Sequence, residues 1–322
     1  MNKRYLRQEK FIGNINKLKK INVAIIGAGS IGSFLAEYLL RAGFERLKII
    51  DRDFVEIENL CCQNYTERDL GLPKALCLGK KLQSINKKAK IEYIVDDLNY
   101  KNIESFLFGI NIIFDATDNM LTRFLLNDYC VKHKIPWFYT AILKDIGYSH
   151  LFLPGNACLR CFIKNPILTE TCESSGILST LPPFISSMQV SKVLNYIFYN
   201  KKSSDFIIFN ALETSIKKFK VKKDKNCLCC VKKKFEYLNG KDYEISKICG
   251  KNIFQLKIEQ KIDFSIFKNL EKIGKVIQNN HIFHFIKNNV NVSLFKNGRI
   301  IIKGVKNEKD AKKIIAKYFG FT

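Results

Sequence analysis

The chain has 322 residues, 47% of them hydrophobic, enough for one large domain with a smaller one and for a sizeable core. No run of about 18 apolar residues occurs, which excludes a membrane-spanning helix, and the charged start MNKRYLRQEK lacks the apolar stretch of a secretory signal, so the expected location is the cytoplasm. The net charge of +24 suits an acidic protein, RNA or a membrane surface, but the lysines are spread over the whole chain, as biased codon usage produces, and an acidic protein is the partner favoured next.

Residues 3–20 read as a charged helix ahead of the first strand. Ile21–Ile26 is apolar and β-branched, the pattern of a buried strand. Gly27, Gly29 and Gly32 follow with the spacing G-x-G-x-x-G. Ile31, Phe34, Leu35, Tyr38, Leu39 and Ala42 then recur at helical period, and Gly43 is placed to end that helix. Leu47–Ile50 reads as a second strand with Asp51 at its end. Glycines there let the backbone turn tightly and approach a phosphate, and the helix N-terminus offers free N–H groups and a positive dipole end to the anion. Asp51, 24 residues after Gly27, is placed to accept a hydrogen bond from a ribose hydroxyl. The motif points to a nucleotide without saying which one.

The polar stretch Asp53–Leu60 is expected at the carboxyl edge of the sheet, where open α/β sheets bind ligands. A helix begins near Pro73, which puts the Lys74 ammonium within reach of a phosphate. Ile91–Val95 is a third strand, Asn99–Leu107 a short helix, and Ile110–Phe114 a fourth strand ending in Asp115-Ala116-Thr117-Asp118-Asn119. A helix over 119–133 and a strand Trp137–Thr140 complete an alternating β-α order, which predicts a doubly wound, mostly parallel sheet. Tyr148–Leu153 reads as a strand, Pro182–Asn200 as an amphipathic helix, and Phe206–Asn210 with Glu213–Val221 as an antiparallel pair. Residues 1–235 are expected to form one domain and 236–322 a small α+β unit. In that unit Ile282–Ile286, Val290–Leu294 and Arg299–Lys303 are strands, Asn297-Gly298 is a hairpin turn, and a helix near Glu308–Phe319 carries Ala311, Ile314, Ile315 and Tyr318 on one face.

Eleven cysteines, with no signal peptide, are expected as reduced thiols. Cys158/Cys161 and Cys227/Cys230 form two C-x-x-C pairs, which read as a tetrahedral zinc site. Four thiolates leave no open position on the metal, so this zinc staples the fold and performs no chemistry. Cys229, between the second pair, is a competing ligand.

The motifs together resemble the ThiF/MoeB/HesA family, prokaryotic relatives of ubiquitin-activating enzymes. They are Arg4-Tyr5-x-Arg7-Gln8, the loop Gly27–Gly32, Asp51-x-Asp53, Asn59-Leu60, Gly71-x-Pro73-Lys74, Asp115-x-Thr117-Asp118-Asn119, both cysteine pairs and Thr171-Cys172, in order over residues 4–230. Cys249-Gly250, Asn297-Gly298-Arg299 and Lys303-Gly304 resemble a tail seen in some members. The resemblance implies a Rossmann-like adenylation domain, usually a homodimer. It implies use of ATP with Mg2+ to adenylate the C-terminal glycine carboxylate of a ubiquitin-fold sulfur carrier ending in Gly-Gly, with a sulfur donor as a further partner in thiamine, molybdopterin or thiolated-tRNA synthesis. By the same resemblance Gly27, Gly29, Ser30 and Gly32 face the nucleotide, and Asp51 holds the ribose. Asn59, Lys74 and Arg7 act at the phosphates, with Arg7 coming from the other subunit, and Asp53 and Gln63 are further nucleotide-binding residues. Asp118 holds magnesium beside Asn119, and Cys172 bonds to the carrier or to sulfur.

One position departs from the family. Where relatives read Asn-Leu-x-Arg-Gln, this chain reads Asn59-Leu60-Cys61-Cys62-Gln63, so Cys62 replaces the arginine that contacts the ATP phosphates. Competing readings are a non-catalytic scaffold that binds the carrier, an adenylating enzyme acting on a peptide or on modified tRNA, and an NAD-dependent dehydrogenase. The last needs neither the Arg7, Lys74 and Asp118 set nor the cysteine pairs.

Overall fold

Strand β1 (Asn22–Ile26) is buried on both faces, with Val23 and Ile25 in one core and Ala24 and Ile26 in the other. That continuous apolar pattern belongs to the centre of a parallel sheet covered by helices on each side. In the computed structural model, which describes residues 3–164, 176–200, 205–241, 253–258, 262–279, 282–296 and 298–320, β1 is such a strand. Thr171, Cys172, Cys249, Gly250 and Asn297 lie outside the described residues.

The chain divides into two units, Met1–Glu244 and Ile245–Thr322. The first is an α/β unit around an eight-stranded sheet of order β3-β2-β1-β4-β5-β6-β7-β8. Its strands are β1, β2 (Arg46–Ile50), β3 (Lys90–Ile94), β4 (Ile112–Asp115), β5 (Trp137–Leu143), β6 (Ile146–Phe152), β7 (Asp205–Asn210) and β8 (Ser215–Lys220). Pairing is parallel from β3 through β5 and antiparallel from β5 to β8. The order reverses at β1, whose two neighbours are β2 and β4. The crevice beyond the carboxyl ends of β1 and β4 is therefore the topological switch point at which such sheets bind ligands.

The predicted helix over 3–20 is broken in two. α1 (Leu6–Ile12) ends at Gly13, whose φ of 85° stops the helix, and α2 (Asn16–Lys19) starts after the Asn14 side chain has accepted the Asn16 N–H at 2.9 Å. Ile15 and Leu18 are fully buried and pin the second piece to the core. Helix α3 (Ser30–Ala42) lies over β1 and ends at Gly43, φ 109°, as its spacing predicts. α4 (Lys74–Ile85) follows Pro73. The helix expected over Asn99–Leu107 shrinks to α5 (Ile103–Phe106). Asn99 and Asn102 divert the preceding backbone into side-chain turns, accepting from Lys101 N and Asn99 N respectively. α6 (Met120–His133) and α7 (Leu181–Tyr199) close the unit. No helix among the described residues is long and apolar enough to cross a membrane.

The second unit is a five-stranded antiparallel sheet of order β10-β11-β12-β13-β9 covered by α8 (Glu308–Phe319). β11 (Ile282–Lys287), β12 (Val290–Phe295) and β13 (Arg299–Lys303) match the expected strands. Phe283, Phe285, Val292, Leu294, Ile300 and Ile302 alternate into the core and meet Ala311, Ile315 and Phe319. β9 (Ile253–Lys257) and β10 (Lys275–Gln278) are additions to the sequence reading. Both lie at the edges of the sheet, and the exposed Lys275, Ile277 and Gln278 give β10 no clean apolar alternation.

Candidate active site

The three motif glycines do different work. Gly27 has φ 93°, and a Cβ there would lie 2.6 Å from the carbonyl oxygen of Ala116, so only glycine lets the β1 turn touch the loop after β4. A Cβ at Gly32 would lie 1.9 Å from the carbonyl oxygen of Gly27, so glycine is needed for α3 to begin against that turn. A Cβ at Gly29 meets nothing within 4 Å. The fold does not need glycine at that position, whereas close backbone approach to a pyrophosphate does.

Asp51, at the end of β2, braces this loop. One carboxylate oxygen accepts the Ala28 N–H at 2.5 Å and the other accepts the Asp53 N–H at 2.6 Å. Burial raises its pKa, and the neighbouring Asp53 charge adds to that, while Lys74 and the two N–H groups oppose it. Tyr65 fastens the other wall. Its hydroxyl donates to the Ala28 carbonyl at 2.6 Å and lies 3.3 Å from the Lys74 carbonyl, joining the glycine loop to the start of α4. Lys74 is only 8% exposed and has no ion-pair partner among the described residues. A buried ammonium in that state suits a bound polyanion.

Across the crevice, Asp118 is exposed and makes no hydrogen bond or ion pair among the described residues. Asn119, not Asp118, caps α6, its Oδ1 accepting from Leu121 N at 2.8 Å and Thr122 N at 3.5 Å. An exposed carboxylate kept out of the cap is a hard oxygen donor of the kind magnesium takes together with waters and phosphates. Arg52 bridges the floor. Burial alone would lower its pKa, but the carboxylates of Asp53, Asp97, Asp118 and Asp51 raise it, and Nη1 donates to Asp97 Oδ1 at 3.1 Å.

Asn59 closes the turn that carries Cys62 and Gln63. Its side chain accepts from Glu56 N at 3.0 Å, and its carbonyl accepts from Cys62 N and Gln63 N at 3.2 and 2.8 Å. Cys62 Sγ lies 3.6 Å from the hydroxyl of Ser30, the first residue of α3. Burial raises the Cys62 pKa. The substituted residue thus stands beside the glycine loop. Gln63 Oε1 is buried without a hydrogen-bond partner.

Arg7 is elsewhere. It is exposed on α1, whose neighbour Gln8 donates to the Ala42 carbonyl at 2.7 Å, while Arg4 donates to the Ile85 carbonyl at 2.6 Å. Ala42 and Ile85 are the last residues of α3 and α4, and 13 helical residues span about 20 Å at 1.5 Å each. Arg7 is therefore a helix-length from the glycine loop of its own chain.

The two cysteine pairs meet. Cys158 Sγ is 3.6 Å from Cys227 Sγ, Cys161 Sγ is 3.5 Å from Cys230 Sγ, and the four buried sulfurs all lie within 4.8 Å of one another. A tetrahedral zinc with Zn–S of about 2.3 Å sets its sulfurs about 3.8 Å apart, so the cluster is compatible with zinc. Cys229 is not one of these four, although its thiol lies against that of Cys158, and it accepts from Asn127 Nδ2 at 3.3 Å, while Asn127 Oδ1 accepts from Leu159 N at 2.8 Å. Asn127 thus holds both halves of the knuckle to α6.

The ThiF family model matches residues 5–230. The chain belongs to the ThiF family. It is 33% identical to the sulfur carrier protein ThiS adenylyltransferase of Bacillus subtilis (strain 168), over 99% of this chain and 100% of that protein. It is 31% identical to the sulfur carrier protein adenylyltransferase of Thermus thermophilus, over 66% of this chain and 83% of that one. Among solved structures, Escherichia coli MccB with ATP superimposes with a TM-score of 0.62 at 21% identity, covering 71% of this chain and 75% of MccB, a likeness of fold. In the structure, two residues that the sequence reading passed over brace the crevice, Tyr65 on the glycine loop and Arg123 behind the loop after β4. Tyr65 lies in an ordinary polar stretch with no periodic signal. Arg123 sits four residues into a helix, where arginine is usually a solvated surface charge.

Proposed function

We propose that this ThiF-family chain is an adenylyltransferase that uses ATP to activate the C-terminal glycine carboxylate of a ubiquitin-fold sulfur carrier, ahead of thiocarboxylate formation. The observation that carries the reading is the full-length match to a ThiS adenylyltransferase. The crevice of Gly29, Asp51, Lys74 and Asp118 at the sheet's switch point supports it.

The carboxylate is already ionised, so no general base is needed. One of its oxygens bonds to the α-phosphorus as the bond to the β-phosphate oxygen breaks, and pyrophosphate leaves. The obstacle is repulsion between anions, so catalysis is positioning plus charge neutralisation. Gly29 lets the backbone approach the phosphates and the N-terminus of α3, with Ser30, faces them. Asp51, held by two N–H groups with Asp53 following it, takes the ribose. Lys74, Asn59 and Gln63 face the phosphates. Asp118 would hold Mg2+, which when bound neutralises phosphate charge, and Asn119 sets the start of the helix behind it. Arg7, remote from its own crevice, acts in the crevice of a second subunit of a homodimer. Cys172 is assigned to bonding the carrier or sulfur. Cys158, Cys161, Cys227 and Cys230 would hold Zn2+ as a closed structural site.

The test is ATP–pyrophosphate exchange with a ubiquitin-fold carrier ending in Gly-Gly. Carrier-dependent exchange is expected. ATP binding without exchange would sink the enzyme reading and favour the carrier-binding scaffold, which the loss of an arginine at Cys62 motivates. Exchange with a free peptide in place of the carrier would redirect the substrate.

A further inference from the structure

Arg123 is only 6% exposed, and its partners report what it holds. Nε donates to Asp115 Oδ2 at 3.0 Å. Nη2 donates to the carbonyl of Thr117 and, at 3.0 Å, to that of Thr140. Nη1 lies 3.4 Å from the Tyr139 hydroxyl, and the guanidinium carbon sits 4.7 Å from the centre of that ring. These partners are the start and middle of the β4–α6 loop and two residues of β5. Asp115 Oδ1 in turn accepts the Thr117 N–H at 3.0 Å and the Thr117 hydroxyl at 2.6 Å. The loop is closed on itself between Asp115 and Thr117 and fastened to the sheet by one side chain.

Asp118 comes next. Asp115 is spent on Arg123 and Thr117, and Asn119 on its helix cap, which leaves Asp118 as the one loop carboxylate open to the crevice. On the loop's other side, Ala116 presents the carbonyl that crowds Gly27. The Ala116 N–H is held independently by the Ile26 carbonyl at 2.8 Å, so what holding Thr117 and Asp115 sets is the reach of Asp118. Stability alone does not call for this arrangement, because a well-packed apolar residue often does as well as a buried ion pair. What an apolar residue does not supply is a planar fork holding a carboxylate, two carbonyls and an aromatic ring in fixed directions, and lysine does not supply it either.

We propose that Arg123 is a positioning residue for the adenylation reaction: through Asp115 and Thr117 it holds Asp118 where magnesium and the nucleotide phosphates meet, without touching the substrate. The inference rests on the assignment of Asp118 to magnesium above.

The experiment measures binding of a non-hydrolysable ATP analogue by calorimetry, with and without Mg2+, in wild type and Arg123→Lys. In Arg123→Lys the Mg2+ concentration giving half-maximal binding should rise about 10- to 100-fold, the usual effect of removing a group that orients a metal ligand. Mg-free binding of the analogue and the circular dichroism spectrum should stay as in wild type. An unchanged Mg2+ requirement overturns the proposal. Equal loss of Mg-free and Mg-dependent binding also overturns it, because that is general damage to the pocket. If Arg123→Lys does not fold, Thr117→Val takes its place, since it removes only the hydroxyl that Asp115 accepts. A smaller shift in the same direction is then expected, and no shift overturns the proposal. A wild type that binds the analogue with a Mg2+ requirement but catalyses no exchange sinks the adenylation reading alone. A wild type with no Mg2+ requirement sinks the role of Asp118, and the inference with it.

Discussion

Replacing Cys62 with arginine bears directly on how this chain manages phosphate charge. The thiol sits 3.6 Å from Ser30 Oγ at the first residue of α3, and Lys74 is close enough to influence it electrostatically. A guanidinium there would join two positive features, the helix N-terminus and the Lys74 ammonium. Without nucleotide the added cation is opposed by both, at a cost of about 0.3–1 kcal/mol if the helix terminus alone is counted. With ATP bound, one charge-assisted hydrogen bond to a phosphate contributes about 1.5–3 kcal/mol. At about 1.4 kcal/mol per tenfold, that is an increase of about 10- to 150-fold in kcat/KM for ATP. Pyrophosphate exchange at varied ATP gives kcat/KM, and thermal unfolding with and without ATP gives the stability terms. Cys62→Arg should unfold slightly earlier than wild type when free and gain more from saturating ATP. An unchanged kcat/KM in a variant with native circular dichroism would refute the reasoning, because the cation would then be at the wrong place or already replaced.

Gly32→Ala puts a Cβ 1.9 Å from the Gly27 carbonyl, so the turn must open. ATP affinity should fall at least tenfold, read by calorimetry, whereas Gly29→Ala, which clashes with nothing in the protein, should fold normally and lose nucleotide affinity alone. Arg7→Ala and Lys74→Ala should each lose about 10²–10³ in rate, and mixing the two variants should restore exchange, since a mixed dimer rebuilds one whole site. No recovery on mixing would place Arg7's action within its own chain or nowhere in the reaction. Stripping the metal with a chelator, or Cys230→Ser, should lower the thermal midpoint and release zinc countable by a chromogenic chelator. In the metal-free cluster the adjacent Cys158 thiol and burial push Cys161 up to about 12, so metal uptake must displace protons and should weaken as pH falls. His150 is 2% exposed and burial pushes its pKa down to about 4, below its usual 6.5. The folded state thus favours the neutral ring, and its contribution is present above pH 6.5 and lost as pH falls toward 4. Urea unfolding should show about 2 kcal/mol less stability at pH 5 than at pH 8 from this group, a difference that His150→Gln should remove.

Much of the crevice's geometry was legible because it is built from local rules. Gly27, Gly29 and Gly32 are spaced by a turn and a helix start, Asp51 is placed by the length of one βα unit, and Gly43 ends α3 where the apolar period stops. The cysteine pairs were readable as one site because thiols two residues apart share a turn, and a single metal satisfies both turns. The break at Gly13 was missed because a charged sequence with few apolar residues carries little periodic signal either way. β9 and β10 were missed because edge strands need not alternate cleanly when one side faces solvent.

The amino-acid sequence by itself determined the parts whose partners lie within a few residues: the glycine turn, the helix stops, the cysteine turns and the alternating order that yields a doubly wound sheet. Only the tertiary structure decided matters that depend on residues far apart in the chain. It chose Asn119 over Asp118 as the helix cap, grouped Cys158, Cys161, Cys227 and Cys230 without Cys229, whose sulfur accepts from Asn127, and removed Arg7 from its own crevice. It also buried Arg123 among Asp115, Thr117 and β5, where its charge is committed to holding a loop. The physical reason is the same in each case. A side chain's type fixes what it can donate or accept, but which neighbour is within about 3 Å to receive it is set by how distant strands and helices pack.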